Sequence, residues 1–400
     1  MGRCLVFQAV SLNLRLWSSV MHWAPEAMVL HPRLGSSRAH RRGRVPFRRE
    51  RAPMVWMHGA SAGDIRALEP LMHELRDRRP DVNVSFTGFD AAGVVLGSSL
   101  SIPCWPLPAD SKPYVSSWIR RRRPEVLVLE RAEVWPNLIH CSANAGIRII
   151  VVNARFRAKG WSALNAVFDQ PLRRIDAFCA AAPRDRDRLL ALGVSSDRIH
   201  VTGDSKRDRP LPDATHVARV RARLGTEGRR FWVSGSVHRE EFLSVEQVAR
   251  ELKRIDPDLL WVLAPRHVDD AFRFERHLRR AGWRVNQYTI LDTYGDLFAA
   301  YSGAVAAFVG GSLVPAGGHD VWEAAIQGTP VIYGPHHSDD SEAHSQPGVK
   351  AMNRHELANI LRTWIRSPEL RNRAGEQHRF SAQAMTGATA RAFCQLESLL

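Results

Sequence analysis

The sequence predicts an α/β protein made of two doubly wound domains, and three observations support this prediction. The chain has 400 residues, which suits two domains of ordinary size. Short apolar runs typical of buried strands alternate with amphipathic segments typical of helices. Several of the apolar runs end in turns of glycine and other small residues, and parallel sheets bind ligands at the carboxyl ends of their strands.

The composition is that of a globular and strongly basic protein. Hydrophobic residues make up 44% and charged residues 24% of the chain, and the net charge is +15. Such a charge implies an anionic partner, which could be nucleic acid, an anionic membrane or a phosphorylated substrate. The cysteines are scattered and no two of them have CxxC spacing, which indicates reduced thiols and neither a disulfide framework nor a zinc site: Cys4, Cys104, Cys141, Cys179 and Cys394.

Residues 1–52 form a basic N-terminal segment with an apolar beginning. The apolar run from Leu5 to Trp23 is interrupted by polar residues and is too broken for a spanning helix, and it has no clear export cleavage site. It suits at most an amphipathic helix at a membrane surface. The arginine-rich run from Arg33 to Arg51 suits anionic headgroups, or equally a solvated linker. Nucleic acid is less favoured, because Phe47 is the only aromatic residue of this run.

The first Rossmann-like domain is predicted to span residues 53–206. Five apolar runs predict its strands: Met54–Met57, Asn83–Thr87, Val126–Glu130, Ile149–Asn153 and Asp176–Ala181. Asp64 to Arg78 has the periodicity of an amphipathic helix, and Pro70 within it predicts a kink or a delayed start. A linker at 207–213 contains two prolines, a second Rossmann-like domain follows at 214–385, and 386–400 is predicted to be a C-terminal helix.

The most informative stretch of the second domain runs from Phe308 to Pro335. Its order is strand, glycine turns, helix, glycine stop and strand. His319 can donate a hydrogen bond to a phosphate, and Glu323, one helical turn on, can accept from sugar hydroxyls. The alternative is that the glycines only form tight turns and that Glu323 lies on a solvated helix face. We favour the ligand site, because turns, helix start and polar pair converge at one strand end.

This stretch resembles the nucleotide-binding segment of the 3-deoxy-D-manno-octulosonic acid (Kdo) transferases, whose pattern is GGSLVP-x-GGHN-x-x-E. The sequence here is GGSLVPAGGHDVWE from Gly310 to Glu323, with Asp320 at the family's Asn. Further motifs follow the family order over residues 54–385, resembling H-A-A-S-V-G-E, M-E-T-E-L-W-P-N, N-A-R, G-N-x-K, G-S-T-H-x-x-E and P-R-H.

The resemblance implies a GT-B fold, in which two Rossmann-like domains face a cleft, and it assigns roles to matching residues. Asp64, at the family's general-base position, would be catalytic, although an aspartate there is also a common helix cap. The donor would contact Lys206, Ser236, His238, Pro265, Arg266, Gly317, Gly318, His319, Asp320 and Glu323. The acceptor side would comprise Ser61, Gly63, Glu133, Trp135, Asn137 and Arg155. No cofactor and no metal site is expected.

The implied reaction is inverting transfer of Kdo from CMP-Kdo to a lipid A precursor in lipopolysaccharide biosynthesis, at the cytoplasmic face of the inner membrane. The expected partners are CMP-Kdo, the lipid A precursor and an anionic membrane surface, but not nucleic acid. Two departures leave an alternative open. Asp64 replaces the family's glutamate, and Arg131 replaces the first glutamate of M-E-T-E, which is a charge reversal. The alternative is a catalytically impaired nucleotide-sugar-binding paralogue, or a transferase with a different acceptor.

Overall fold

The chain forms two compact units, each built on its own parallel β-sheet. A computed structural model describes residues 2–28, 30–31, 38–48, 52–156, 170–337 and 347–400, with side chains from residue 14 onward. Parts of the basic run, residues 32–37 and 49–51, lie outside the described residues. The first unit comprises residues 1–209 and 386–400, and the second comprises residues 210–385.

The first unit contains a seven-stranded parallel sheet with the order β3-β2-β1-β4-β5-β6-β7. Strand β1 pairs with β2 on one side and β4 on the other, so the connections reverse direction at this point and open a crevice at the carboxyl edge. The strands are β1 Met54–Gly59, β2 Asn83–Gly88, β3 Cys104–Pro106, β4 Val126–Glu130, β5 Arg148–Ala154, β6 Ala177–Ala180 and β7 Ile199–Val201.

Helices cover both faces of this sheet and bury an apolar core on each. Helix α3 begins ahead of Pro70 and runs through it, so the expected delayed start is wrong; the earlier start is stabilised by a cap at Ser61. The helices are α1 Gly2–Met28, α2 Arg38–Arg41, α3 Ala62–Arg78, α4 Ala91–Ser99, α5 Lys112–Arg122, α6 Pro136–Asn144, α7 Pro183–Ala191 and the C-terminal helix Ala388–Glu397, with 3₁₀ turns at Pro171–Arg174, Ser196–Arg198 and Ser205–Asp208.

The N-terminal segment packs into the first unit. Met21 and Met28 of α1 are buried, and the indole Nε1 of Trp17 donates to Asp110 Oδ2 at 2.7 Å. Arg41 is fully buried and donates to the carbonyl oxygens of Leu107 and Phe89. No helix in the described part of the chain is long and apolar enough to cross a membrane.

The second unit contains a six-stranded parallel sheet with the order β10-β9-β8-β11-β12-β13. Its reversal point lies between β8 and β11. The strands are β8 Phe231–Val237, β9 Leu260–Pro265, β10 Tyr288–Ile290, β11 Ala307–Val309, β12 Val331–Tyr333 and β13 Val349–Lys350. The helices are α8 Ala214–Leu224, α9 Phe242–Ile255, α10 Ala271–Arg280, α11 Leu297–Ala300, α12 Trp322–Ala325, α13 Arg354–Arg366 and α14 Pro368–Gln383, with a 3₁₀ turn at Val268–Asp270. The prediction of two doubly wound α/β domains is confirmed.

Candidate functional site

Asp64 lies at the reversal point of the first sheet, in the first turn of α3, which follows β1. Its Oδ2 atom accepts hydrogen bonds from the backbone N of Ser61 at 3.0 Å and from Ser61 Oγ at 2.7 Å. Its other oxygen, Oδ1, lies 4.0 Å from Nε of Arg131. The cap therefore uses one carboxylate oxygen, and the capping and catalytic roles of Asp64 are compatible. The neighbouring Gly63 is exposed.

A buried polar clamp fixes the strand ends beside Asp64. Glu130, the last residue of β4, is fully buried, and its Oε2 accepts from Asn153 Nδ2 at 2.8 Å. Asn153 adopts a left-handed backbone, and its Oδ1 accepts from the backbone N of Ser205 at 2.8 Å. Ser205 Oγ in turn donates to the carbonyl of Ala67 in α3 at 2.6 Å. The ends of β4 and β5 are thus tied to α3, the helix that carries Asp64.

Burial, followed by the nearby Asp204 carboxylate, raises the pKa of Glu130 to about 8. Glu130 is therefore mostly protonated at neutral pH, although Arg131, Asn153 and Lys206 favour its charged form. It was not among the predicted site residues. The signal in the sequence was a charged residue that ends the otherwise apolar run VLVLE.

The loop after β4 places Glu133 and Trp135 on the same edge. Trp135 Nε1 donates to Glu133 Oε2 at 3.1 Å, and the Trp135 ring stacks on Phe89 at 5.3 Å between centroids. The same Glu133 oxygen lies 3.7 Å from Nε2 of His58, a fully buried side chain on β1. Glu133 is thereby held against the strand that leads to Asp64.

Asn137, predicted on the acceptor side, is 2% exposed, and its side chain is committed to the fold. Its Nδ2 donates to the Asp110 carbonyl at 2.6 Å. The Asp110 carboxylate accepts from the backbone N of Asn137 at 3.1 Å and of Leu138 at 2.7 Å, and so caps α6. Burial raises the pKa of Asp110 to about 6. The geometry gives Asn137 a positioning role for the Glu133–Trp135 loop.

Arg155 and Lys206 lie beyond β5 and β7. Arg155 Nη2 contacts Asp204 Oδ2 at 2.7 Å. Burial, followed by the charge of Arg131, lowers the pKa of Lys206, whereas Glu130, Asp204 and Asp64 act to raise it. Lys206, predicted with the donor residues, therefore shares the electrostatic environment of Asp64 in the first unit, while the other predicted donor residues lie in the second.

In the second unit, one buried carboxylate joins the two turns at the sheet's reversal point. Glu241 Oε1 accepts from the backbone N atoms of His238, at 3.0 Å, and Gly311, while Oε2 accepts from Leu313 N at 3.2 Å. A Cβ atom on Gly310 would lie 2.6 Å from both Glu241 Oε1 and the carbonyl oxygen of Ser236. Only glycine fits there, which explains the double glycine after β11.

Four histidines cluster at this edge. His238 and His319 stack with centroids 5.1 Å apart, and their Nε2 atoms are separated by 2.8 Å. The His267 ring meets His238 edge-on at 6.4 Å, and His337 Nε2 lies 2.8 Å from the carbonyl oxygen of His319. Burial, followed by the charge of Arg266, lowers the pKa of His319 to about 4.

Ser236 lies near the end of β8, and Arg266 directly follows β9. Ser236 has a φ of 55° in a bulge where β8 shifts register against β9, a strained conformation for serine that turns it out of the sheet. Pro265 ends β9 and is buried, and the backbone N of Arg266 donates to the Val237 carbonyl at 2.9 Å. The Arg266 side chain itself is exposed.

The remaining predicted donor residues lie between β11 and β12. Gly317 and Gly318 both have positive φ, and a Cβ on Gly318 would lie 2.4 Å from the His337 ring. Asp320 Oδ1 accepts from Trp322 N at 3.0 Å and so caps α12, on which Glu323 is half-buried. The described residues contain no group of three or more histidines, cysteines and acids that could hold a metal ion.

Comparison with known proteins shows which proteins this chain is similar to. A family model described as 3-deoxy-D-manno-octulosonic-acid transferase (kdotransferase) matches residues 33–209. A protein of Chlamydia trachomatis named 3-deoxy-D-manno-octulosonic acid transferase is 28% identical over 313 residues, 73% of this chain and 72% of its own length. The protein of that name from Bordetella pertussis is 29% identical over 382 residues, 87% of this chain and 88% of its own length. This chain is similar to the Kdo transferases over most of its length.

Solved structures support the fold of this chain. A UDP-GlcNAc 2-epimerase from Neisseria meningitidis, bound to UDP-GlcNAc, aligns with 86% of this chain and 100% of its own, at a TM-score of 0.65 and 12% identity. At that identity the likeness concerns the fold alone, which is GT-B.

Proposed function

We propose that this protein transfers Kdo from CMP-Kdo to a lipid A precursor in lipopolysaccharide biosynthesis. Similarity to proteins named 3-deoxy-D-manno-octulosonic acid transferase, over 73% of the chain for the Chlamydia relative, is the observation that carries the proposal. The local geometry supports it. Apart from Arg155 and Lys206, the predicted acceptor-side residues follow β1 and β4 of the first sheet and the predicted donor-side residues lie at or after the ends of β8, β9 and β11 of the second, and doubly wound sheets bind ligands at such strand ends.

In the proposed reaction, Asp64 accepts the proton of the acceptor hydroxyl. The oxygen then attacks the anomeric carbon of Kdo as the bond to the CMP phosphate oxygen breaks, and the configuration inverts. Oδ1 of Asp64 is suited to the proton, because Oδ2 already accepts two hydrogen bonds from Ser61.

The donor's negative groups would meet one fixed cation and several neutral hydrogen-bond donors. Arg266 is charged at every relevant pH, and its planar fork suits a phosphate or carboxylate. His319, with its pKa lowered to about 4, contributes a hydrogen bond and no charge at neutral pH. Ser236 adds a hydroxyl, and Glu323 would accept from the ribose of CMP. Because Lys206 lies in the first unit, we place its charge near Asp64 and near the hydroxyl proton that Asp64 accepts.

We also propose that the protein works at an anionic membrane surface, the cytoplasmic face of the inner membrane. Leu16, Val20 and Trp23 of α1 are 56%, 66% and 73% exposed and recur at helical spacing on one face. The neighbouring face of α1, about 100° around the helix, is the one that packs on the first unit. An exposed apolar stripe in a basic protein suits insertion among anionic headgroups.

One observation favours a second candidate, a nucleotide-sugar-binding paralogue with impaired catalysis. The Arg131 guanidinium lies 4.0 Å from the proposed base, where the family has a glutamate. A cation at that distance can form an ion pair with the carboxylate that has to accept the proton.

A transfer assay decides between the two candidates. Purified full-length protein is incubated with CMP-Kdo and a lipid A precursor, and the lipid product is measured by mass spectrometry, with CMP release followed in parallel. Addition of one or more Kdo masses to the lipid is expected. Binding of CMP without any transfer would favour the paralogue.

A further inference from the structure

Arg131 is a partly exposed cation beside the proposed base, and its ion pairs are long. It follows β4 with a φ of 59°, and its backbone N donates to the Val152 carbonyl at 2.8 Å, so the turn is fixed against β5. Its side chain is 38% exposed. Its Nε lies 3.4 Å from Glu130 Oε1 and 4.0 Å from Asp64 Oδ1, and within the described residues this buried Nε makes no hydrogen bond.

The neighbouring carboxyl groups neutralise this cation only in part. Because burial raises the pKa of Glu130 to about 8, Glu130 is mostly uncharged near pH 7. Asp64 already uses one oxygen in the helix cap. The positive charge of Lys206 lies close enough to be affected by Arg131. The edge around Asp64 thus holds two cations, Arg131 and Lys206, and the Arg131 side chain is partly exposed.

We propose that Arg131 is a specificity-determining residue that binds an anionic group of the acceptor, a phosphate or a carboxylate carried near the hydroxyl that Asp64 deprotonates. This rests on the proposed function. A guanidinium pairs with such an anion through two parallel hydrogen bonds, which orient the acceptor as well as hold it. A neutral sugar has no negative charge with which the guanidinium could pair.

Binding of an acceptor anion also accounts for the arginine at residue 131, where the M-E-T-E motif has a glutamate. A carboxylate at residue 131 would repel an acceptor anion, and it would join Asp64 and Glu133 in one negative cluster. With arginine there, the acceptor anion can form an ion pair with the guanidinium. The buried Glu130 cannot do so while it is protonated. Binding of that anion would draw the guanidinium away from Asp64 and leave the base free to accept its proton.

The test compares Arg131→Gln with wild type on two acceptors, a phosphorylated lipid A precursor and the same molecule with its phosphates removed. For the phosphorylated acceptor we expect kcat/KM to fall by roughly ten- to hundredfold, the usual effect of losing a charged hydrogen bond. For the dephosphorylated acceptor the change should be under about threefold, and Arg131→Lys should lie between. Arg120→Gln, which removes an exposed arginine at the far end of α5, is the matched charge control.

The ratio of the two effects is the readout, because any disturbance of Asp64 itself lowers both rates equally. An equal loss on both acceptors would overturn the proposal. If the wild type transfers Kdo to neither acceptor, the proposed function fails, and calorimetric binding of the same two lipids decides on Arg131. Weaker binding of only the phosphorylated lipid by Arg131→Gln would support the anion site, and unchanged binding would refute it.

Discussion

The Nε2 atoms of His238 and His319 face each other at 2.8 Å in the second unit. At that distance one nitrogen donates and the other accepts, so at least one of the two rings is neutral. The lowered pKa of His319, about 4, agrees with this arrangement and results from burial and from the charge of Arg266. The sequence predicted His319 as a donor to phosphate. The structure shows a neutral ring whose Nε2 faces His238, and the hydrogen bond to phosphate stays a prediction.

The buried Glu241 carboxylate should be essential for the stability of the second unit. It accepts from three backbone N–H groups, of His238, Gly311 and Leu313. Glu241→Ala leaves all three without this partner and should lower the free energy of unfolding by at least about 2 kcal/mol, as measured by urea denaturation. The adjacent and exposed Glu240→Ala is the control and should change it by less than about 0.5 kcal/mol. Equal effects would show that the three hydrogen bonds add nothing.

Arg266 is expected to supply the fixed positive charge for the donor. Arg266→Ala should weaken CMP binding by several-fold to a hundredfold, because a charged hydrogen bond contributes about 1.5–3 kcal/mol. Isothermal titration calorimetry with CMP measures this directly. Arg280→Ala, an exposed arginine at the end of α10, is the control. Unchanged affinity in Arg266→Ala would remove this residue from the site.

Local sequence patterns predict much of the fold, but they predict fewer of the side-chain contacts in the candidate site. Apolar runs and glycine stops place most strands, because each run must be buried on both faces of a parallel sheet. Glu130 and Asn137 show the limit. Whether a polar side chain faces a ligand or completes a buried hydrogen bond depends on distant residues, here Asn153 and Asp110, and local sequence patterns do not reveal such long-range pairs.

The same limit applies to Lys206 and to the N-terminal segment. A motif places Lys206 among functional residues, but only the folded sheet shows that its neighbours are Glu130 and Asp204. Arginine content suggests a solvated arm, yet Arg41 is fully buried because carbonyl oxygens of two distant loops accept from it. The sequence shows which segments carry charged side chains, and tertiary packing decides which of these side chains are exposed.

Acid should destabilise the second unit through His378. This side chain is 5% exposed, its Nδ1 accepts from Val331 N at 3.1 Å, and burial lowers its pKa to about 4. The unfolded chain binds the proton near pH 6.5 and the folded chain only near pH 4, so stability falls as the pH drops between these values, by at most about 1.4 kcal/mol per pH unit. From pH 7 to pH 5, wild type should lose about 1–2 kcal/mol more than His378→Asn.

Urea denaturation at both pH values measures this difference. The amide oxygen introduced by His378→Asn can still accept from Val331 N and does not titrate, so the variant isolates the protonation effect. His355→Asn removes an exposed histidine and should keep the wild-type slope. If His378→Asn and wild type lose the same stability, the protonation of His378 does not contribute.

Membrane binding should depend on the exposed stripe of α1. Replacing Leu16, Val20 and Trp23 together by serine should reduce co-sedimentation with anionic liposomes at low salt by at least about tenfold, since each inserted apolar side chain contributes about 1.5–3 kcal/mol. Substitution is a cleaner test than truncation, because removing the segment also removes Arg41 and the contact of Trp17 with Asp110.

The control for the stripe is a triple serine variant of exposed apolar residues in the second unit, Leu243, Phe272 and Phe380. It should sediment with liposomes as wild type does. Equal loss in both variants would indicate a general effect of hydrophobicity, and no loss in the α1 variant would contradict the proposed membrane contact.

Substitution of Asp64 distinguishes the proposed transferase from a nucleotide-sugar-binding paralogue with impaired catalysis. In Asp64→Asn, the side-chain oxygen can still accept from Ser61 and keep the helix cap, but the proton acceptor is lost. The variant should bind CMP as wild type does and lose turnover by roughly 10²–10⁴-fold, the usual contribution of a general base. Asp64→Glu should remain active, because glutamate is favoured at this position of a capping box and its longer side chain restores the reach of the family's base. The transfer assay and CMP calorimetry together measure both effects. A wild-type rate in Asp64→Asn would place the base elsewhere, and Glu133, held beside His58 at the same edge, would be the next carboxylate to test.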